Sequence, residues 1–304
     1  MRGWLGVYLR GFAMGAADAV PGVSGGTIAL ITGIYERLVD AIAGLDPAVV
    51  ADLARVHDGD ARRRAREQVV AMDVPFLLVL GVGVVTGAVT LANVVEYGLE
   101  TRRALTFAFF FGLIGASPVV LRGELDRTPR SVVAAVAGFV VTFLVGGLQS
   151  DLPGGLAVLF VMGAVAISAM VLPGISGSLI LLAVGKYQTL TGAVSDLTAA
   201  AGALAGGGVA AVAGPLSVLV VFAAGALVGI LSFARVVSWA LATHRRATMA
   251  FLLGLLVGAL RRPGAEVVEA VGAWTPGTAA AVGGAVALGA LAVLAFDYYA
   301  GVEY

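Results

Sequence analysis

The amino-acid sequence predicts an all-α polytopic membrane protein made of two inverted repeats. Each repeat is expected to contain a broken or re-entrant helical hairpin followed by about three transmembrane helices. Of the 304 residues, 60% are hydrophobic and only 12% are charged, whereas soluble domains carry about 25% charged residues. Uncharged runs long enough to cross a bilayer recur along the chain. Two further apolar regions are each interrupted by a Pro-Gly-x-Ser-Gly cluster.

Charge and composition argue against several other classes of protein. The formal net charge is zero and the chain has no cysteine, so we expect no nucleic-acid surface, disulfide or thiolate metal site. The two histidines lie far apart, and no metal site or cofactor is predicted. The sequence contains no nucleophile elbow, zinc-binding His-Glu-x-x-His or phosphate-binding P-loop. An enzyme is therefore not expected.

The apolar runs divide the chain into two halves of similar layout. The first repeat covers residues 1–150 and the second covers residues 151–304. In the first we expect a hairpin at 4–42, a polar loop at 45–73, and spans at 75–95, 104–121 and 131–150. In the second we expect a hairpin at 152–194 and spans at 215–238, 247–260 and 270–296. The roles of 45–73 and of the Gly-Ala-rich stretch 199–214 stay open.

An internal alignment indicates that the halves are duplicates. A shift of 152 residues brings twelve positions between Gly11 and Ala41 onto identical residues, including both Pro-Gly-x-Ser-Gly clusters. A shift of 142 residues aligns Gly87–Ala116 with Gly229–Gly258, with a shared Thr-x-Arg before a Phe-x-x-Gly-Leu helix. Apolar composition alone would produce some matches, but not aligned turn motifs.

The number of spans and the arginine distribution predict the orientation. If each hairpin returns to its own side, three spans per half insert the halves upside down relative to each other. With the N-terminus in the cytoplasm, thirteen arginines lie inside, against five arginines and lysines outside, as the positive-inside rule requires. We therefore expect a multi-pass protein of the cytoplasmic membrane with both termini inside. Inverted repeats with broken helices are typical of secondary transporters.

The two broken turns are the main candidates for a binding site. Helix N-termini carry partial positive charge and expose N–H groups, which suits an anion, and serine and threonine hydroxyls add donors. Two cationic side chains follow the hairpins and could also bind a phosphate. The alternative is that the turns only let two helices fold back. The predicted phosphate-binding residues are Pro21, Gly22, Ser24, Gly25, Gly26, Thr27, Pro173, Gly174, Ser176, Gly177, Ser178, Lys186 and Arg37.

Asp18 lies in an apolar stretch three residues before Pro21. Acidic residues inside membranes are costly and suggest a function, so we expect Asp18 to bind a coupling proton or sodium ion. A capping or ion-pairing role is the alternative. The repeat counterpart of Asp18 is Met170, so this role is not duplicated.

The segments Gly15–Ile28 and Leu172–Ser178, with Gly185-Lys-Tyr187 following, resemble the PopT-type polyprenyl-phosphate transporters, formerly a membrane family of unknown function. The resemblance covers nearly the whole chain. It implies that the chain moves undecaprenyl phosphate, or a dolichyl-type equivalent, back across the cytoplasmic membrane after glycan assembly. The expected partners are this lipid and the surrounding membrane lipids. The resemblance implies that the two turn motifs form the substrate-binding site.

Two other functions use the same residues. An ion-coupled secondary transporter or channel for a small anionic solute could have the same fold. An intramembrane lipid phosphatase would need an acid–base pair or nucleophile set, for which the sequence offers only Asp18. The lipid's chain length, the coupling ion and the oligomeric state stay open.

Overall fold

The computed structural model describes residues 3–20, 23–46, 49, 59–126, 128–147, 152–202 and 209–300. These residues form helices and connecting segments, without a strand. The first half contains α1 (Trp4–Asp18), α2 (Gly25–Ile31), α3 (Tyr35–Ala43), α4 (Gly59–Ala71), α5 (Val74–Val120), a 3₁₀ turn (Leu121–Glu124) and α6 (Pro129–Val145). The second contains α7 (Leu156–Val171), α8 (Gly177–Ala183), α9 (Tyr187–Gly202), α10 (Val209–Ala259), α11 (Arg261–Ala270) and α12 (Pro276–Ala300).

Several of these helices are apolar enough to cross a bilayer. Three described segments have the length and composition of membrane spans, and two shorter helices are also apolar. The prediction of an all-α polytopic membrane protein is confirmed. The long segments are Val74–Glu124, Val212–Ala270 and Pro276–Ala295, and the shorter ones are Pro129–Val145 and Leu156–Val171.

The two longest helices are each folded back on themselves at one residue. Arg102 in α5 and His244 in α10 have non-helical backbone angles. Residues eight apart in a straight helix are separated by about 12 Å, yet the Thr248 hydroxyl donates to the Ala240 carbonyl at 3.0 Å. In α5, a Cβ on Gly98 would lie 2.9 Å from the Thr106 hydroxyl oxygen. Each long helix is therefore two arms that reverse direction where the sequence predicts a loop.

The broken hairpins contain two interruptions rather than one. After the Pro-Gly-x-Ser-Gly turn comes a seven-residue helix, α2 or α8, and then a second break at Gly33 or Gly185. Both glycines have positive φ, 67° and 68°, which favours glycine because it lacks a Cβ. Seven residues rise about 10 Å, so neither short helix can span a membrane of about 30 Å.

Glycines allow close packing of equivalent helix pairs in both halves. A Cβ on Gly11 of α1 would lie 2.2 Å from the Leu80 carbonyl of α5. A Cβ on Gly163 of α7 would lie 2.2 Å from the Phe222 carbonyl of α10. Such approach requires residues without side chains, as is common between transmembrane helices.

The last helix of each half, α6 or α12, packs on the long helix of the other half. A Cβ on Gly138 of α6 would meet the Phe251 carbonyl of α10, and one on Gly289 of α12 would meet that of Phe109 in α5. Each half therefore packs its last helix against the other half.

The polar segment between the hairpin and α5 contains a surface helix. Residues 47, 48 and 50–58 of the predicted 45–73 loop lie outside the described residues, whereas α4 covers Gly59–Ala71. Its arginines at 62, 63, 64 and 66 are exposed. In the Gly-Ala-rich stretch 199–214, whose role the sequence leaves undecided, α9 ends at Gly202 and α10 begins at Val209. Residues 203–208 lie outside the described residues.

Candidate functional site

The described parts of the two Pro-Gly-x-Ser-Gly turns lie against each other inside the protein. The Thr27 hydroxyl oxygen accepts a hydrogen bond from the Gly174 N–H at 2.9 Å. The Ser24 hydroxyl lies 3.5 Å from the Leu172 carbonyl oxygen, to which it can donate. Thr27 and Ser24 are almost completely buried. Residues 147 and 148 positions apart are thus joined in one polar cluster, which we call the turn pair.

Glycine makes the approach of the two turns possible. A Cβ on Gly26 would lie 3.1 Å from the Met170 carbonyl oxygen and 3.2 Å from that of Val171. Gly174 has a φ of +83°, and a Cβ there would lie 2.8 Å from the Leu255 carbonyl oxygen. The site therefore depends on residues without side chains at the contact between the halves.

In the first turn, side chains of the protein already occupy the N-terminus of α2. An Asp18 carboxylate oxygen accepts from the Gly25 N–H at 2.6 Å, and the Ser24 hydroxyl oxygen accepts from the Gly26 N–H at 3.2 Å. This satisfies donors that a helix start leaves unpaired. Asp18 itself is exposed at the end of α1. Pro21 and Gly22 lie outside the described residues.

The second turn lacks this capping. Ser176 precedes α8 but makes no side-chain cap; its hydroxyl pairs instead with that of Ser178 at 2.8 Å. Met170 stands where the first half has Asp18, and a Cβ on Gly177 would lie 2.7 Å from its Cγ atom. This turn therefore presents two adjacent hydroxyls without a competing carboxylate from α7.

The two predicted cations lie away from the turn pair and already have partners. Lys186 is buried, and its ammonium donates to the Leu152 carbonyl at 2.5 Å. It follows α8, whose length of about 10 Å separates it from Ser176. Arg37 forms a two-point ion pair with Asp73, at 2.6 and 3.0 Å, and lies over the Phe76 ring. Phosphate binding by either residue stays a prediction.

The sequence analysis missed two buried glutamates. Glu124 and Glu266 follow the second arms of α5 and α10 and are only 8% and 6% exposed. Arg245 pairs with Glu124, and Arg103 pairs with Glu266. The sequence does relate the two glutamates, because the same shift of 142 residues places one on the other. Both lie outside the aligned segments Gly87–Ala116 and Gly229–Gly258.

Comparison with known proteins identifies relatives over most of the chain. Residues 14–271 match the family model of VCA0040-like proteins, described as undecaprenyl phosphate translocase-like. A polyprenyl-phosphate transporter of Vibrio cholerae serotype O1 is 36% identical over 84% of this chain and 76% of its own length. A polyprenyl-phosphate transporter of Staphylococcus aureus is 32% identical over 84% of each chain. No solved structure matches significantly.

Both relatives are named as transporters, in agreement with the prediction that this chain is not an enzyme. The match also confirms the resemblance on which the substrate class was predicted.

Proposed function

Because this chain belongs to the undecaprenyl phosphate translocase-like family, we propose that it transports polyprenyl phosphate across the cytoplasmic membrane. The lipid carrier would thereby return to the inner leaflet for another round of cell-envelope glycan synthesis. The observation that carries the site assignment is the turn pair, in which two broken helices from opposite halves meet. Irregular backbone at membrane depth is tolerated where it is buried in protein or lines a cavity.

The phosphate would bind at the turn pair through hydroxyl and N–H donors. Ser176 and Ser178 are the best-placed donors, because their hydroxyls bond to each other rather than to the facing turn. A phosphate oxygen can replace that mutual contact with two charge-assisted hydrogen bonds. Ser24 and Thr27 would hold the first turn in place beneath the ligand.

Asp18 would couple phosphate binding to an ion. Its carboxylate accepts the hydrogen bond from the Gly25 N–H, which a phosphate could otherwise accept. Protonation, or binding of sodium, would weaken this internal contact and allow the phosphate to take the donor. Transport would then depend on a proton or sodium gradient.

The arrangement of the arms supports alternating access by inverted halves. Arg103 begins the second arm of α5 and contacts Glu266, which follows the second arm of α10. Arg245 begins that arm of α10 and contacts Glu124, which follows the arm of α5. The two equivalent arms therefore run antiparallel, as expected for halves inserted in opposite directions. The N- and C-termini would be cytoplasmic.

A flip assay in proteoliposomes tests this function. Labelled polyprenyl phosphate is placed in one leaflet, and its movement is followed under imposed proton and sodium gradients. We expect gradient-dependent movement that excess inorganic phosphate does not inhibit. Inhibition by inorganic phosphate, together with uptake of that anion, would instead support the second candidate, a transporter of small anionic solutes.

A further inference from the structure

Two reciprocal ion pairs tie the halves together at opposite ends of the antiparallel arms. Arg103 contacts Glu266 at 2.5 and 3.1 Å, and Arg245 contacts Glu124. A shift of 142 residues aligns Arg103 with Arg245 and Glu124 with Glu266. The second arm of α5 rises about 27 Å between these two levels, so the pairs lie near opposite membrane faces.

Each pair has one additional charged member that the repeat does not share. Arg262 also contacts Glu266, at 3.1 Å, while its counterpart is Val120. Glu36 also contacts Arg245, at 2.9 Å, while its counterpart is Gln188. One cluster thus has two arginines and one glutamate, and the other has two glutamates and one arginine.

We infer that these clusters are alternating gates and that their opposite net charges set the direction of transport. Arg103, Arg262 and Glu266 form the outer gate, with a net charge of +1. Arg245, Glu36 and Glu124 form the inner gate, with a net charge of −1. The outer gate attracts an anionic headgroup, and the inner gate favours its release. This inference rests on the proposed function and orientation.

The burial of the glutamates explains why each pair can act as a gate. A buried carboxylate is costly unless it stays paired, so the state with both ends open would leave two carboxylates unpaired and is the least favourable one. Both pairs are formed in the structure, which corresponds to a closed state. A cavity of about 450 Å³ adjoins the outer gate; its charged lining residues are Glu100, Arg102 and Arg103. Loss of the Glu266 contact would leave Arg103 free to bind a headgroup phosphate there.

Cysteine accessibility tests the gates without relying on transport. The chain has no cysteine, so Leu105→Cys and its repeat counterpart Ala247→Cys can report on the two ends. In the full-length protein in open membrane fragments, where an impermeant maleimide reaches both faces, Arg103→Gln should increase labelling of Leu105→Cys about five-fold. Labelling of Ala247→Cys should stay constant. Arg245→Gln should give the reverse pattern. Equal changes at both reporters, or none, would overturn the inference.

Charge exchange controls for misfolding of the single variants. In an Arg262→Val background, which removes the second arginine beside residue 266, the double change Arg103→Glu, Glu266→Arg should restore low labelling, whereas either single change should not. If the single variants do not fold, a short thiol cross-linker between Arg103→Cys and Glu266→Cys should abolish outer labelling reversibly. Unchanged labelling after verified cross-linking would contradict the outer gate. If labelling changes as expected but polyprenyl phosphate does not move, the proposed substrate is rejected and the assignment of the gates stands.

Replacing Arg262 or Glu36 with the residue at the equivalent repeat position tests the direction of transport. Arg262→Val should raise the KM for polyprenyl phosphate offered at the outer leaflet about five-fold. Glu36→Gln, the matched change at the other end, should leave that KM unaltered and slow release inside. An unchanged KM for Arg262→Val, or an equal rise for both variants, would contradict the charge-based direction.

Discussion

The two turns have the same backbone plan but different chemistry. Both lead into seven-residue helices that begin one residue after a serine, at Gly25 and Gly177. In the first turn, Asp18 and Ser24 occupy the helix start. In the second, Met170 replaces the carboxylate and Ser176 makes no cap. On the proposed function, this difference would make the first turn suited to ion coupling and the second turn suited to phosphate binding.

The largest expected effect comes from the backbone of the second turn. Gly174→Ala places a Cβ 2.8 Å from the Leu255 carbonyl oxygen at a residue with φ of +83°. Left-handed strain alone costs about 1–2 kcal/mol, and the steric conflict adds to it. We expect loss of more than about 2 kcal/mol of stability, measured by thermal unfolding in detergent. Gly192→Ala is the control, because a Cβ there meets nothing within 4 Å; equal losses would show that the turn is not constrained.

Replacing Ser176 should affect binding, whereas replacing Ser24 should affect stability. Ser176→Ala should weaken phosphate binding by about ten-fold or more, the value of one hydrogen bond to a charged group, with little change in stability. Ser24→Ala removes a cap and should cost about 1 kcal/mol of stability. Lipid binding and thermal unfolding measured on both variants separate these effects. Identical behaviour of the two variants would remove the distinction between the turns.

Asp18→Asn separates capping from coupling. Asparagine retains an oxygen that can accept from Gly25 N–H, but it cannot take up a proton at neutral pH. We expect normal insertion and stability, together with loss of the response to the imposed gradient in the flip assay. A response equal to that of the unsubstituted protein would limit Asp18 to the capping role.

The smallest effect is expected where the third spans begin. Hydrogen bonds from the Ser131 and Thr128 hydroxyls hold the pKa of Asp126, before α6, below its usual range. Its stabilising effect should be present at neutral pH and lost on acidification through that lowered pKa. At the start of α12, Thr275 just before the helix and Thr278 in its first turn accept hydrogen bonds from each other's N–H groups, without a carboxylate. The loss of stability caused by Asp126→Asn should therefore be present at neutral pH and vanish on acidification, whereas the loss caused by Thr278→Ala should not depend on pH; thermal unfolding across pH measures both.

Much of the fold could be predicted because its signals are local and repeated. Apolar runs and Pro-Gly clusters indicate helices and breaks wherever they occur. The break at Gly33 was missed, since a single glycine in an apolar run is a weak signal until its positive φ is seen. The Thr27–Gly174 contact and the two glutamate pairs depend on packing between distant segments. Spacing along the chain cannot reveal which of many polar residues will meet there.

Phosphate binding at the turn pair is tested most directly by comparing polyprenyl phosphate with polyprenol in the same flip assay. The two lipids differ only in the phosphate that the turn pair is proposed to bind. We predict that the unsubstituted protein moves polyprenyl phosphate and not polyprenol, and that a Ser176→Ala, Ser178→Ala variant that folds normally loses this movement. Equal movement of both lipids, or undiminished transport by the folded variant, would contradict binding of the phosphate at the turn pair.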